Sequence, residues 1–524
     1  MKISYNRKNL YYASIFLFAV SLPFSEFMIS LSTGILLVTW LISSKFSEKW
    51  DRFKSSPSAW LLISIFFVYA FGVLFTNDQT LAIYELKKTA FILVIPLCIS
   101  TGVPIKYDTF RKILFSFLGA LNLASFIAIV RLIFREQLNI QDIWEILFVS
   151  HIGFSFQILL GIAILINELY NTPQIRKDLK ILFAFNIAYL TVFLFILKSL
   201  TGLAAFAFLL VVHLFIVTRK IKMRKWKISG MVLLPTLILA GFFYLGWCVQ
   251  QFYNTDTIDP AQLPEKTQSG HFYKHDISNK LLENGHYIGL YVCEEELKES
   301  WERRSALAYN QNDHTGFPVS ATLIRYLTSK GLTKDSAGIS KLDTSDIGYI
   351  EKGIANYIYT QRFLSLYPRI YQTIWELDVY FKTGNPNLKS LAKRIEFVKA
   401  AITIVQEHPL FGVGTGNWKQ AFINAYQKNK SQLEPVQYGS SHNQYLNYLV
   451  KFGIIGFSWI MFAWIFPLFL SKKQRFYPVV MLLLILGIAN FSDSNLEAHM
   501  GISFFIFFYS LFLFSETKQS NSER

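Results

Sequence analysis

Residues 10–44 read LYYASIFLFAVSLPFSEFMISLSTGILLVTWLISS, which is two apolar runs back to back, 10–27 and 28–44. Each has about the length, roughly 17–25 residues, that a helix needs to cross a ~30 Å hydrocarbon core. The first run is not expected to be a cleavable signal peptide, because a second span follows at once and no small-residue cleavage site precedes it. Outward from this pair, comparable runs recur at 58–76, 89–103, 113–134, 146–169, 181–197, 199–218, 228–247, 445–469, 477–492 and 500–515. The runs 89–103 and 477–492 are the short ones. The expected fold class is an all-α polytopic membrane protein with about twelve transmembrane helices and one large, mostly helical loop.

A net charge of +16 could suggest nucleic acid, but its placement points elsewhere. Lys2, Arg7 and Lys8 precede the first run, and Lys45, Lys49, Arg52 and Lys54 follow the second. Lys106, Arg111 and Lys112, then Arg176, Lys177 and Lys180, then Lys472, Lys473 and Arg475 follow later even-numbered runs. The densest group is Arg219, Lys220, Lys222, Arg224, Lys225 and Lys227. With twelve spans all of these share one side, the positive-inside pattern with both termini cytoplasmic. The basic excess is therefore topological, and no nucleic-acid partner is expected. Three cysteines, Cys98, Cys248 and Cys293, show no zinc spacing, and no phosphate-cradling glycine loop with its lysine is present. Cys248 and Cys293 share the outer side, so a disulfide between them stays open.

The apolar runs stop for nearly two hundred residues after about position 248. Three parts are expected: a membrane bundle over 1–247 with about nine spans, a loop domain over 248–440 outside the cytoplasm, and a bundle over 441–524 with about three. The loop carries Trp301, Trp375, Trp418 and many Tyr and Phe, a composition able to bury a core. Apolar spacing at Ile395, Val398, Ala401, Ile402 and Val405 predicts an amphipathic helix over about 390–407. Segments near 295–308 and 347–382 also read as helical, and Gly384-Asn385-Pro386-Asn387 reads as a turn. After His408-Pro409, the alternating glycines of Gly412-Val413-Gly414-Thr415-Gly416-Asn417 free the backbone for tight turns and close approach. A structural turn is favoured there over ligand contact.

His442 and Asn443 stand at the mouth of the run 445–469. A titratable group at a span entrance suggests chemistry at the bilayer surface, with interfacial anchoring as the alternative. Lys87, Lys88, Arg131, Arg135 and Lys198 sit at outer span ends, where the orientation rule gives them no reason to be. A membrane-embedded anion would supply one, since Arg and Lys neutralise phosphate by charge-assisted hydrogen bonds; snorkelling to headgroups is the other. Arg303, Arg304, Arg325, Arg362, Arg369 and Arg394 are further anion-binding candidates in the loop. Arg394 stands out because its helix leads into the glycine segment and on to His442. His151, at the outer end of its span, could face the same cavity.

Arg394-Ile395-Glu396-Phe397, then His408-Pro409-Leu410-Phe411-Gly412-Val413-Gly414-Thr415-Gly416-Asn417, then Ser441-His442-Asn443-Gln444-Tyr445-Leu446 with Gly453 and Gly456, resembles the O-antigen ligase and polymerase superfamily. The resemblance implies an inverting, metal-independent glycosyltransferase of the GT-C kind with no cofactor, in the bacterial inner membrane with the large loop periplasmic. It implies a donor glycan on undecaprenyl diphosphate and an acceptor that is lipid A–core saccharide, another repeat-unit glycan or a protein hydroxyl, with ligation to lipid A–core first. It further implies that His442 is the mechanistic histidine and Arg394 an essential arginine. Displacing a lipid diphosphate calls for a cation on the departing phosphate, and the attacking hydroxyl needs an acceptor such as histidine. Where family members carry Ser-Arg, this chain reads Ser199-Leu200, so Lys198 is the candidate replacement cation. A flippase for the same lipid-linked glycan would also want outer cations, but it needs charged or broken helices near mid-membrane, which the sequence reading does not find.

Overall fold

The computed structural model describes residues 2–134, 145–171, 175–220, 224–361 and 365–517. It is mostly helical. In chain order the first helices are α1 (Lys2–Ser21), α2 (Glu26–Ser43), α3 (Phe46–Lys54), α4 (Pro57–Val73), α5 (Gln79–Thr101), α6 (Tyr107–Ile133), α7 (His151–Asn171), α8 (Lys177–Ile196), α9 (Leu200–Lys220) and α10 (Arg224–Tyr253). Then come α11 (Glu294–Glu302), α12 (Val319–Ser329), α13 (Ser336–Ser340), α14 (Thr344–Glu351), α15 (Ile358–Gln361), α16 (Tyr367–Thr383), α17 (Ser390–Glu407) and α18 (Trp418–Lys428). Helices α19 (Gln444–Leu470), α20 (Tyr477–Ser492) and α21 (His499–Phe514) close the chain. Among the described residues the strands are a short antiparallel pair, β1 (Leu282–Glu283) and β2 (His286–Tyr287), with Leu282 opposite Tyr287.

A helix lies over every apolar run read from the sequence. Among the described residues six of them, α2, α6, α7, α8, α9 and α19, are long and apolar enough to cross a membrane, and a seventh candidate is the pair α3–α4, bent by 91°. Helices α20 and α21 are apolar but shorter. Proline at the first turn of α4, α16 and α20 starts those helices at no hydrogen-bond cost, since the first-turn N–H groups have no helical partner.

The chain divides into two compact units. One takes in residues up to Val217 and from Lys393 onward, and the other Thr218–Ala392. In the first, α21 is the central post: Met500 through Leu513 are all buried. Phe18, Phe117 and Phe476 pack on its Phe507, Phe508 and Phe512 rings. In the second unit one core gathers Leu297, Trp301, Leu323, Tyr326, Leu327 and Ile350, and another sets Cys248 and Phe252 of α10 against Tyr367 and Tyr371 of α16. The three cysteines are unbonded, so no disulfide joins Cys248 to Cys293.

The helix expected over 390–407 is α17, and Gly384 at φ 71° ends α16 where the turn was read. Two expectations need correcting. The helix expected over 295–308 ends at Glu302. The one expected over 347–382 is three helices, because Gly353 turns left-handed at φ 81° and Asn356 spends its side-chain oxygen on the Ile358 N–H.

Candidate functional site

Helix α19 begins with Asn443 as N-cap, its side chain accepting the Leu446 N–H at 3.1 Å. The same side chain donates to the Phe491 carbonyl at 3.0 Å, tying the mouth of α19 to the end of α20. His442 then takes φ 48°, a left-handed conformation that is costly for a residue with a Cβ. Its neighbours impose it. The Ser441 hydroxyl donates to Asn447 Oδ1 at 2.6 Å and accepts the Asn443 N–H at 3.1 Å, while Tyr426 holds the Gly439 carbonyl at 2.7 Å.

The twist delivers the His442 ring to two partners. It stacks on Phe397 of α17, centroids 5.4 Å apart and planes 19° apart, and its Nδ1 lies 2.9 Å from Asp493 Oδ1. Their side chains are 43% and 30% exposed, so the pair is reachable from outside. Burial pushes the Asp493 carboxyl up, but the His442 hydrogen bond and charge, the Ser494 N–H and the Arg394 charge together hold it below the usual carboxylate range. Arg394 donates to the Ser492 carbonyl at 2.8 Å, placing a cation at the C-terminal, negative end of α20. Arg394 and His442 thus anchor on consecutive residues of one helix end.

A buried polar chain backs this surface. Asn447 donates to Ser494 Oγ at 2.8 Å and to Glu497 Oε2 at 3.1 Å. Glu497 and Glu85 both receive Lys451 Nζ, at 2.8 and 3.1 Å, and Lys88 closes on Glu85 at 2.8 Å. Lys451 and Glu85 are 1% and 2% exposed, a burial that charges tolerate only when paired and hydrogen-bonded. Sequence reasoning missed Asp493, Glu85, Lys451 and Glu497, and gave Phe397 no role of its own. The signals were a lysine inside the apolar run 445–469 and the polar stretch Ser492-Asp493-Ser494-Asn495 between the last two runs.

The glycine segment is a structural turn, as expected, and it packs against the broken helix α19. Helix α19 breaks at Gly453, φ 58° and ψ −168°, which frees backbone groups that lipid could not satisfy. The Val413 and Gly414 N–H groups donate to the Val450 and Lys451 carbonyls at 2.9 Å each, and Ile454 N–H donates to the Pro409 carbonyl at 2.8 Å. Thr415 further binds the Tyr69 carbonyl of α4 at 2.7 Å. A Cβ on Gly412 or Gly453 would stand 2.4 and 2.3 Å from backbone carbon of the opposing segment.

The other cations scatter. Lys88 belongs to the buried cluster, whereas Lys87 is exposed on the same helix. Arg131 lies over the Phe148 ring at 4.2 Å and donates to the Ile146 carbonyl at 3.0 Å. Lys198 is 5% exposed at φ 49° between α8 and α9, where burial lowers its pKa. The adjoining Ser199 hydroxyl sits 3.5 Å from Ser155, one turn into the helix that His151 starts. Arg135 and Arg362 lie outside the described residues. Among the remaining loop arginines, Arg325 pairs with buried Glu283 at 2.7 Å and Arg304 donates to backbone carbonyls, both structural ties.

An uncharacterized protein of Haemophilus influenzae is 28% identical to this chain over 171 residues, 32% of this chain and 41% of that protein, so the match spans about two fifths of that relative. Residues 353–461, which hold Arg394, the glycine segment and His442, match the family model described as O-antigen ligase, and this match supports the O-antigen ligase superfamily for the chain.

Proposed function

We propose that the chain transfers a glycan from undecaprenyl diphosphate to an acceptor at the periplasmic face of the bacterial inner membrane, with lipid A–core saccharide as the acceptor. The observation that carries this reading is the Asp493–His442 pair beside Arg394, inside the segment that matches O-antigen ligase. With Nδ1 donating to Asp493, the neutral His442 ring turns Nε2 outward as an acceptor. The acceptor hydroxyl gives its proton to Nε2 as its oxygen attacks the anomeric carbon. The bond from that carbon to the diphosphate breaks, and Arg394 stabilises the charge that leaves with the phosphate. Attack opposite the leaving group inverts the anomeric centre, and a guanidinium stands where a metal would otherwise neutralise phosphate. Lys198, beside Leu200, is the proposed second cation toward the donor. Arg131, Arg135, Lys87 and His151 are proposed as further substrate contacts, and Lys88 and Asn443, committed to Glu85 and to the α19 cap, as positioning residues.

Envelope analysis of a deletion strain tests the acceptor. Loss of capped lipid A–core with lipid-linked chains still made is the expected result. Shortened chains still capped on lipid A–core would instead assign a polymerase, and loss of glycoprotein alone a protein glycosyltransferase.

A further inference from the structure

The second unit contains a set of donor atoms far in sequence from His442. Thr267 and His271 close a tight turn, with the Thr267 N–H donating to the His271 carbonyl at 2.8 Å and Gly270 at φ 91° between them. Cys293 is the N-cap of α11, its N–H held by the Lys334 carbonyl at 2.8 Å, and Glu296 lies in the first turn. His271, Cys293 and Glu296 each offer one ligand-type atom, and these atoms all lie within 4.8 Å of one another.

The carboxylate is held at both oxygens. Its Oε2 accepts the Ser336 N–H at 3.0 Å and the Ser336 hydroxyl at 2.6 Å. Its Oε1 accepts the Thr267 hydroxyl and faces His271 Nδ1 at 2.9 Å. Outer partners of this kind fix a ligand's direction and are half of a metal site's construction. Cys293 is 4% exposed and Glu296 is 4% exposed, while the His271 side chain is 49% exposed and leaves one side open to solvent.

We propose that His271, Cys293 and Glu296 form a zinc site with solvent as fourth ligand. One nitrogen, one sulfur and one oxygen donor suit a borderline-soft tetrahedral ion, whereas calcium and magnesium take oxygen ligands. Zinc bonds of about 2.0–2.3 Å put ligand atoms roughly 3–4 Å apart, so small rotamer changes close the site. The ion would tie the 267–271 turn and α11 together and, through Ser336, brace α13, in a unit whose cysteines form no disulfide. No step of the proposed glycan transfer runs through it.

The test uses the purified full chain in detergent, stripped with chelator and returned to stoichiometric zinc, with metal read by mass spectrometry and by competition with a chromophoric chelator. About one tightly held zinc per chain is expected, weakened on the order of 10²-fold by His271→Ala or Cys293→Ser. Cys248→Ser, which alters a thiol in another core, should bind as the wild type does. Cobalt guards against misfolded variants: the wild type should show a thiolate-to-cobalt charge-transfer band that Cys293→Ser lacks. Zinc retention equal in wild type and Cys293→Ser, or a cobalt complex without the thiolate band, overturns the site.

Discussion

At the residue scale, His442 illustrates how strain and function coincide. A left-handed histidine costs on the order of 1–3 kcal/mol and persists only where its surroundings impose it, and here Ser441, Asn443, Phe397 and Asp493 do so. The Asp493 contact carries a pH signature. Its carboxyl is held below the usual range, so its contribution to stability is complete above the unfolded value of about 3.9 and fades as pH falls through the folded value. Asp493→Asn should therefore melt below the wild type at neutral pH, with the two melting curves converging as the solution is acidified below about pH 4. A gap that widens on acidification would contradict the assignment. Nothing near His442 in sequence announces this partner, which lies 51 residues away beyond two whole helices.

At the scale of elements, the helix break at Gly453 and the glycine segment explain each other. Each backbone passes where the other's Cβ would be, and the donors of one fill the acceptors of the other. Gly453→Ala and Gly412→Ala must strain a positive φ as well as collide with backbone, so each should lower stability by about 1–3 kcal/mol or more. Gly34→Ala in α2, with nothing within 4 Å of its added Cβ, should leave fluorescence-detected melting unchanged. Equal melting of all three would mean that the break is not packed as described. The apolar runs were legible because length and hydropathy alone suffice for a membrane helix. The break was not, since Phe452-Gly453-Ile454 inside such a run reads as uninterrupted helix, and only the opposing segment reveals that the backbone leaves it. Lys451 was hidden for the same reason: its two carboxylates come from α5 and from the turn before α21.

For the whole molecule, the proposed orientation puts the loop after α10 in the periplasm and Ser471 on the cytoplasmic side. In a cysteine-free background, a membrane-impermeant thiol reagent on intact cells should label cysteine placed at Ser269 and not at Ser471. Labelling at Ser471 would reverse the orientation. The resemblance that pointed to glycan transfer came from short motifs between Arg394 and Gly456, while the donor and acceptor surfaces depend on side chains that no motif describes. The central claim is that the His442 imidazole accepts the proton of the attacking hydroxyl while Arg394 holds the departing diphosphate. It is tested by turnover of purified full-length protein with lipid-linked donor and an acceptor extract. Relative to wild type, His442→Ala should fall by roughly 10²-fold or more, and Arg394→Lys should fail because a point charge does not replace a forked donor. Near-normal turnover by His442→Ala at normal protein level would contradict the account.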